Sequence, residues 1–205
     1  MTRLFAACAA FAVGALLVVG AAPAQAQSAD APEIIDMTMG NPDAPVTVIE
    51  YASYTCPHCK SFHEGTFKDL KEDYIDTGKV HFVYREVYFD RPGLWAAMVA
   101  RCGGPERYFG ISDLLYAGQS EWAGSGDPAQ IAEALRRIGR TAGLSDDELD
   151  ACLSDADKAQ AMVAAYQANT EEHGISATPS FVINGETYRN MSYGEMKTIL
   201  DEAGS

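Results

Sequence analysis

Two cysteines separated by two residues, Cys56-Pro57-His58-Cys59, are the part of this chain best suited to chemistry. A β-branched run, Val46-Thr47-Val48-Ile49, precedes them, and a helical pattern through Phe62, Phe67, Leu70 and Tyr74 follows, stopped near Gly78. The cysteines therefore fall at a helix N-terminus, where unpaired backbone N–H groups and the helix dipole favour an anion. That position lowers the pKa of the first thiol, and the thiolate is the reactive species. The second thiol lies one turn along, close enough to close a disulfide with the first. Pro57 stiffens the short loop, and His58 can add a hydrogen bond or a positive charge near the Cys56 sulfur. The expected chemistry is thiol–disulfide exchange, with Cys56 and Cys59 as the catalytic pair. Zinc competes poorly, because a lone CxxC supplies two ligands, no second CxxC is present and the histidines are not at finger spacing. A purely structural bond in so tight a loop is also disfavoured. No metal and no cofactor are expected.

The elements that must position this pair follow from the pattern around it. Val80-His81-Phe82-Val83-Tyr84 reads as the next strand, so the cysteines sit inside a strand–helix–strand unit. Residues 92–173 then carry helical periods and no convincing strand. Pro92 to Arg101 ends at Gly103-Gly104, and Asp127-Pro128 opens a helix with Ile131, Leu135, Ile138 and Ala142 on one face. Ser145 and Glu148 form a capping box, and Ala159, Met162, Val163, Tyr166 and Thr170 mark a longer helix stopped by Gly174. These stripes are core packing. Strand signals return in Ser180-Phe181-Val182-Ile183, followed by Asn184-Gly185, a strong hairpin signal, and by Glu186-Thr187-Tyr188. Ser192 and Glu195 box the start of a final helix. The arrangement is β-α-β, a helical block, then β-β-α: an α/β fold.

The N-terminus has the pattern of a removable leader. Arg3 supplies a positive charge, Leu4 to Ala22 is almost wholly apolar, and Ala24-Gln25-Ala26 is a small-x-small cleavage pattern. A membrane anchor is disfavoured, because Pro23 and the cleavage pattern follow at once without a basic stop-transfer cluster. Cleavage is expected after Ala26, giving an exported protein and removing Cys8. Of the five cysteines, Cys56, Cys59, Cys102 and Cys152 then remain. An even number in an oxidising compartment implies pairing, and four cysteines allow three connectivities. The formal net charge of −14 argues against nucleic acid, which needs a basic face, and against an anionic membrane surface.

Residues 40–90 and 174–205 resemble the DsbA family of thioredoxin-fold proteins. The resemblance rests on the CPHC motif, on its approach Val48-Ile49-Glu50-Tyr51-Ala52-Ser53-Tyr54-Thr55, on Thr178-Pro179-Ser180-Phe181, and on Asn184-Gly185 after it. It implies a thioredoxin-like fold with an inserted all-helical domain: a signal peptide at 1–26, a thioredoxin-like domain at 27–90 plus 174–205, and the helical domain at 91–173. It implies that Cys56 is the attacked and attacking sulfur and Cys59 the buried resolving sulfur. Pro57 and His58 support them, and Glu50 is a buried acid placed to handle the Cys59 proton. Pro179 resembles the family's cis-proline opposite the active site, and Thr178 before it offers backbone groups to an extended substrate. Cys102 and Cys152 resemble the second, structural disulfide of some relatives. His63, His81 and His173 receive no role. The implied activity is the introduction of disulfides into periplasmic or secreted proteins. Reduced exported polypeptides are the expected substrates, a DsbB-like membrane protein the expected reoxidant, and a monomer the expected state, since only a short stretch precedes the first strand. An isomerase or reductase of the same fold, or a non-catalytic peptide-binding chaperone, are the competing readings.

Overall fold

The computed structural model describes residues 32–205; the expected leader and its cleavage point lie outside the described residues. The sheet has five strands, β1 (Met37–Gly40), β2 (Val46–Ala52), β3 (Val80–Glu86), β4 (Ser180–Ile183) and β5 (Glu186–Arg189), in the order β1-β3-β2-β4-β5. β2 and β3 pair in parallel, as a strand–helix–strand crossover requires, and the other pairs are antiparallel. The β-branched and aromatic runs become the central strands because both sheet faces are covered: Val46, Val48, Phe82 and Phe181 enter the main core, while Tyr51, Val87 and Val182 form a second cluster. Asn184 and Gly185 close the β4–β5 hairpin with φ of 46° and 92°, the pair of positive angles that a two-residue turn of this hand needs.

β1 is an addition to the elements the sequence announces. Met37-Thr38-Met39 has no β-branched run, and the strand exists because β3 offers it an edge. Its last residue has to be glycine, since φ at Gly40 is 85° and a Cβ there would lie 2.5 Å from the Val80 carbonyl oxygen.

The helix carrying the cysteines is shorter than its apolar period suggests. α1 (Pro57–Glu64) stops at Gly65, whose ψ of −98° breaks the ladder; α2 (Thr66–Leu70) and a π-helical turn (Lys71–Ile75) continue the path. Phe62 and Phe67 keep one buried face across the break, packing on Phe181 and Phe82.

Between β3 and β4 lie α3 (Arg91–Cys102), α4 (Gly104–Ala117), α5 (Gln119–Trp122), α6 (Pro128–Thr141), α7 (Asp146–Ser154) and α8 (Ala156–Glu172), and α9 (Tyr193–Ala203) closes the chain. Ser145/Glu148 and Ser192/Glu195 both form complete capping boxes. These helices share the sheet's core: Ala96, Tyr108, Leu115 and Tyr116 are buried in the same cluster as Val48 and Phe82. A buried ion pair clamps α3 to the end of β3, with Arg101 Nε and Nη2 donating to the Glu86 carboxylate at 2.8 and 2.6 Å and Tyr108 Oη donating to it at 2.7 Å. A disulfide joins Cys102 at the end of α3 to Cys152 in α7.

Candidate active site

Cys56 is the N-cap of α1, in extended conformation at φ −81° and ψ 120°, with Pro57 at the first helical position. The run that ends β2 delivers it there: Cys56 N–H donates to the Ser53 carbonyl at 3.1 Å, and Lys60 N–H closes the first helical turn on the Cys56 carbonyl at 3.2 Å. Thr55, one residue before, is fastened from the other side, donating through Oγ1 to Asp90 at 2.9 Å. Asp90 is also the N-cap of α3, accepting from Gly93 N–H at 2.7 Å. Cys59 lies one turn into α1 and is fully buried, whereas Cys56 is half-buried; both are free thiols.

Across from Cys56 stands the loop that enters β4. The Thr178–Pro179 peptide bond is cis, and Cys56 Sγ lies 3.5 Å from the Thr178 carbonyl oxygen. That contact suits the thiol, whose S–H donates. The ionised sulfur has no hydrogen to give; the Thr178 hydroxyl, buried and without a hydrogen-bond partner among the described residues, is the group of this loop that can turn a donor to it, and it helps to lower the Cys56 pKa.

The two sulfurs are driven apart in acidity. Cys56 falls from the ordinary 9.0 to about 5, chiefly because the Cys59 thiol donates to it. Burial works against ionisation, and the Thr178 hydroxyl and the backbone N–H groups of Cys59 and His58 add to the lowering. Cys59 is pushed far up, first by burial, then by donating to Cys56, then by the charge of Glu50. Glu50 lies in β2, 1 % exposed, with one carboxylate oxygen unpartnered among the described residues; burial pushes its pKa up to about 8. A carboxyl so placed is held protonated at neutral pH and can exchange a proton with a neighbour.

The residues singled out in the sequence thus meet as follows. Cys56, Pro57, Cys59, Thr178 and Pro179 converge, and Glu50 lies behind Cys59, close enough for its charge to be felt. His58 is exposed, and its backbone N–H is among the groups that lower the Cys56 pKa. His63 pairs with Asp113 at 2.6 Å and His173 with the Tyr51 hydroxyl at 2.6 Å. Among the described residues no group of three or more His, Cys, Asp or Glu is gathered as a metal would need. Two residues without a motif complete the site: Asp90, and Gln119, whose buried amide reaches the Tyr54 and Cys56 carbonyls. Asp90 could have been read from Asp90-Arg91-Pro92, an N-cap followed by proline; nothing local marks Gln119. The arrangement suits attack by a thiolate on, or departure of a thiolate from, a half-exposed sulfur.

The family model described as Thioredoxin matches residues 33–202 of this chain. A Rickettsia bellii protein, provisionally named a protein-disulfide oxidoreductase, is 35% identical over 169 residues, covering 82% of this chain and 64% of its own length. Disulfide bond formation protein D of Bacillus subtilis is 26% identical over 173 residues, covering 80% and 75%. The crystal structure of Wolbachia pipientis alpha-DsbA1 superimposes with a TM-score of 0.76 at 29% identity, over 84% of this chain and 92% of that one. The chain spans less than two thirds of the length of the Rickettsia relatives it matches.

Proposed function

The chain belongs to the thioredoxin family, in its DsbA-like branch, and from that premise we propose that it is an exported oxidant of protein thiols. In the proposed cycle a reduced substrate thiolate attacks Cys56 Sγ of a Cys56–Cys59 disulfide. Cys59 leaves as a thiolate and takes a proton, for which protonated Glu50 is the nearby source. A second substrate thiolate attacks the substrate sulfur of the mixed disulfide, Cys56 leaves as the stable thiolate, and the substrate departs with a new disulfide. A DsbB-like membrane protein restores the pair. In this reading residues 27–90 with 174–205 form the catalytic domain and 91–173 an inserted helical domain. The chain acts as a monomer in the periplasm after cleavage behind Ala26. The backbone of Thr178 would accept an extended substrate segment, and Phe89, 58% exposed beside Asp90, offers it an apolar contact.

The observation that carries the proposal is the placement of Cys56, half-buried at the N-terminus of α1 beside a fully buried Cys59, which pulls its pKa down from 9.0 to about 5. Thiolate stabilisation favours only the reduced form, and so makes the disulfide oxidising. At pH 7 a midpoint of about 5 instead of 9.0 is worth RT ln of about 100, about 2.7 kcal/mol. Cys56 is only half-buried, and solvent screening removes about half, leaving about 1.4 kcal/mol or about 30 mV. The sign fixes the pH window: the preference for the reduced form is absent below pH 5 and grows as pH rises from about 5 towards 9. Equilibration with glutathione at several pH values tests this. The expected result is a couple more oxidising than glutathione that strengthens as an oxidant from pH 5 to pH 8, and oxidative refolding of a reduced substrate that Cys56→Ala abolishes. A potential as low as thioredoxin's, or one tracking pH as an unshifted thiol would, sinks the oxidant reading. Refolding assistance surviving in Cys56→Ala would favour the chaperone instead.

A further inference from the structure

One side chain of the helical block enters the backbone of the redox loop. Gln119 opens α5, in the corner where α4 ends at Ala117 and Gly118. Its buried Nε2 donates to the Tyr54 carbonyl at 2.7 Å and to the Cys56 carbonyl at 3.0 Å. Among the described residues the Tyr54 carbonyl has no other partner, and the Cys56 carbonyl has only the Lys60 N–H besides. The corner is rigid: the buried Trp122 indole donates to the Leu115 carbonyl at 2.7 Å, and Lys60 Nζ of α1 donates back to the Ala117 carbonyl at 3.3 Å.

We propose that Gln119 is a positioning residue for Cys56, the point at which the helical block sets the acidity of the reactive thiol. One NH2 group can bond both carbonyls only while the Tyr54-Thr55-Cys56 backbone keeps this conformation. That conformation holds the Cys56 sulfur at the start of α1, in reach of the Cys59 thiol and of the His58 and Cys59 N–H groups. Without the amide, the Tyr54 carbonyl is left buried and unpaired, which is costly enough to turn the loop towards water. The sulfur then loses part of its alignment with every donor that stabilises the thiolate. The two N–H dipoles also offset the negative end of the Cys56 residue's own carbonyl, and that effect goes with them. The inference rests on Cys56 and Cys59 being the reactive pair, but its test reads titration, not turnover.

Gln119→Met keeps the bulk and removes both donors. Gln119→Glu keeps the shape, removes the donors at neutral pH and adds a negative charge. The full chain carrying each change is reduced, and Cys56 is titrated by thiolate absorbance and by the pH profile of alkylation, with thermal unfolding measured beside it. Gln119→Met is expected to raise the Cys56 midpoint by about one unit, and to shift the glutathione equilibrium about tenfold towards the disulfide form. Gln119→Glu is expected to raise it further. An unchanged Cys56 titration in both variants, with only the melting temperature lowered, overturns the proposal. So does a shift in Gln119→Glu alone, which would be charge without positioning. Should Gln119→Met fail to fold, Gln119→Asn is one methylene shorter, can reach at most one of the two carbonyls, and must move the midpoint in the same direction. A wild-type Cys56 that titrates at 7 or above defeats the oxidant reading, while the comparison among variants still decides the role of Gln119.

Discussion

Replacing Cys59 by alanine takes away the group that does most to acidify Cys56. The Cys59 thiol is the foremost cause of the fall from 9.0 to about 5, ahead of the Thr178 hydroxyl and the α1 backbone N–H groups. A hydrogen bond to a charged acceptor contributes about 1.5–3 kcal/mol, and one pKa unit is about 1.4 kcal/mol, so its loss is worth about one to two units. Cys56 is half-buried, and solvent replaces part of what is lost, which favours the lower end. The Cys56 midpoint in Cys59→Ala is therefore expected near 6, still below an ordinary thiol because the helix N-terminus and Thr178 remain. Cys59→Ser restores a donor at the same place and is expected to stay near the wild-type value. The assay is the pH profile of thiolate absorbance in the reduced proteins, with one thiol titrating in each variant. If Cys59→Ala stays within a few tenths of a unit of wild type, the thiol–thiolate bond is not what acidifies Cys56. If Cys59→Ser moves as far as Cys59→Ala, loss of sulfur packing and not loss of a donor is responsible.

Two further outcomes follow from buried groups. Glu50 carries a folded pKa raised from 4.5 to about 8, so its cost to folding is absent below pH 4.5, grows as pH rises and is complete above about 8. Glu50→Gln is therefore expected to leave stability unchanged at pH 4 and to raise it by about 3 kcal/mol at pH 7, as denaturant unfolding at the two pH values will show; an equal effect at both removes the buried-acid argument. Cys102 and Cys152 are joined across a sequence separation of 50, and the double change Cys102→Ala with Cys152→Ala is expected to cost about 4 kcal/mol of unfolding free energy, measurable by reversible denaturation with Cys56 and Cys59 reduced in both proteins.

What could be read in the sequence is what depends on near neighbours along the chain. The β2 and β3 runs, the Asn184-Gly185 turn and both capping boxes need only a few adjacent residues, and each stands where its pattern lies. β1 could not be read, because Met37-Thr38-Met39 becomes a strand only by borrowing the edge of β3. The end of α1 at Gly65 was hidden for a related reason: Phe62 and Phe67 keep a helical period through the break, since both pack on the same sheet face. The long middle segment announced helices but not their docking, which depends on pairs such as Arg101 with Glu86, 15 residues apart. Neither residue carries a signal, because each is a burial penalty alone and tolerable only together.

The site divides in the same way, and the division explains why the four-residue motif does not by itself set the acidity of Cys56. CPHC places one sulfur at a helix N-terminus, a local effect visible in the spelling. The terms that decide how acid that sulfur becomes come from elsewhere: Thr178 is 122 residues away, Gln119 is 63, and the burial that keeps Cys59 a thiol, and hence a donor, is built by the whole core. His58, the motif residue the spelling most invites one to credit, has an exposed side chain, and its backbone N–H, one of the groups that lower the Cys56 pKa, is one that any residue but proline would supply there. Within this fold, then, changes at Thr178, Gln119 and the packing of Cys59 should move Cys56 more than exchanging the exposed side chain at position 58. The reason is geometric. A donor held by the core keeps its distance to the thiolate, whereas an imidazole in water can swing away and is screened where it stands.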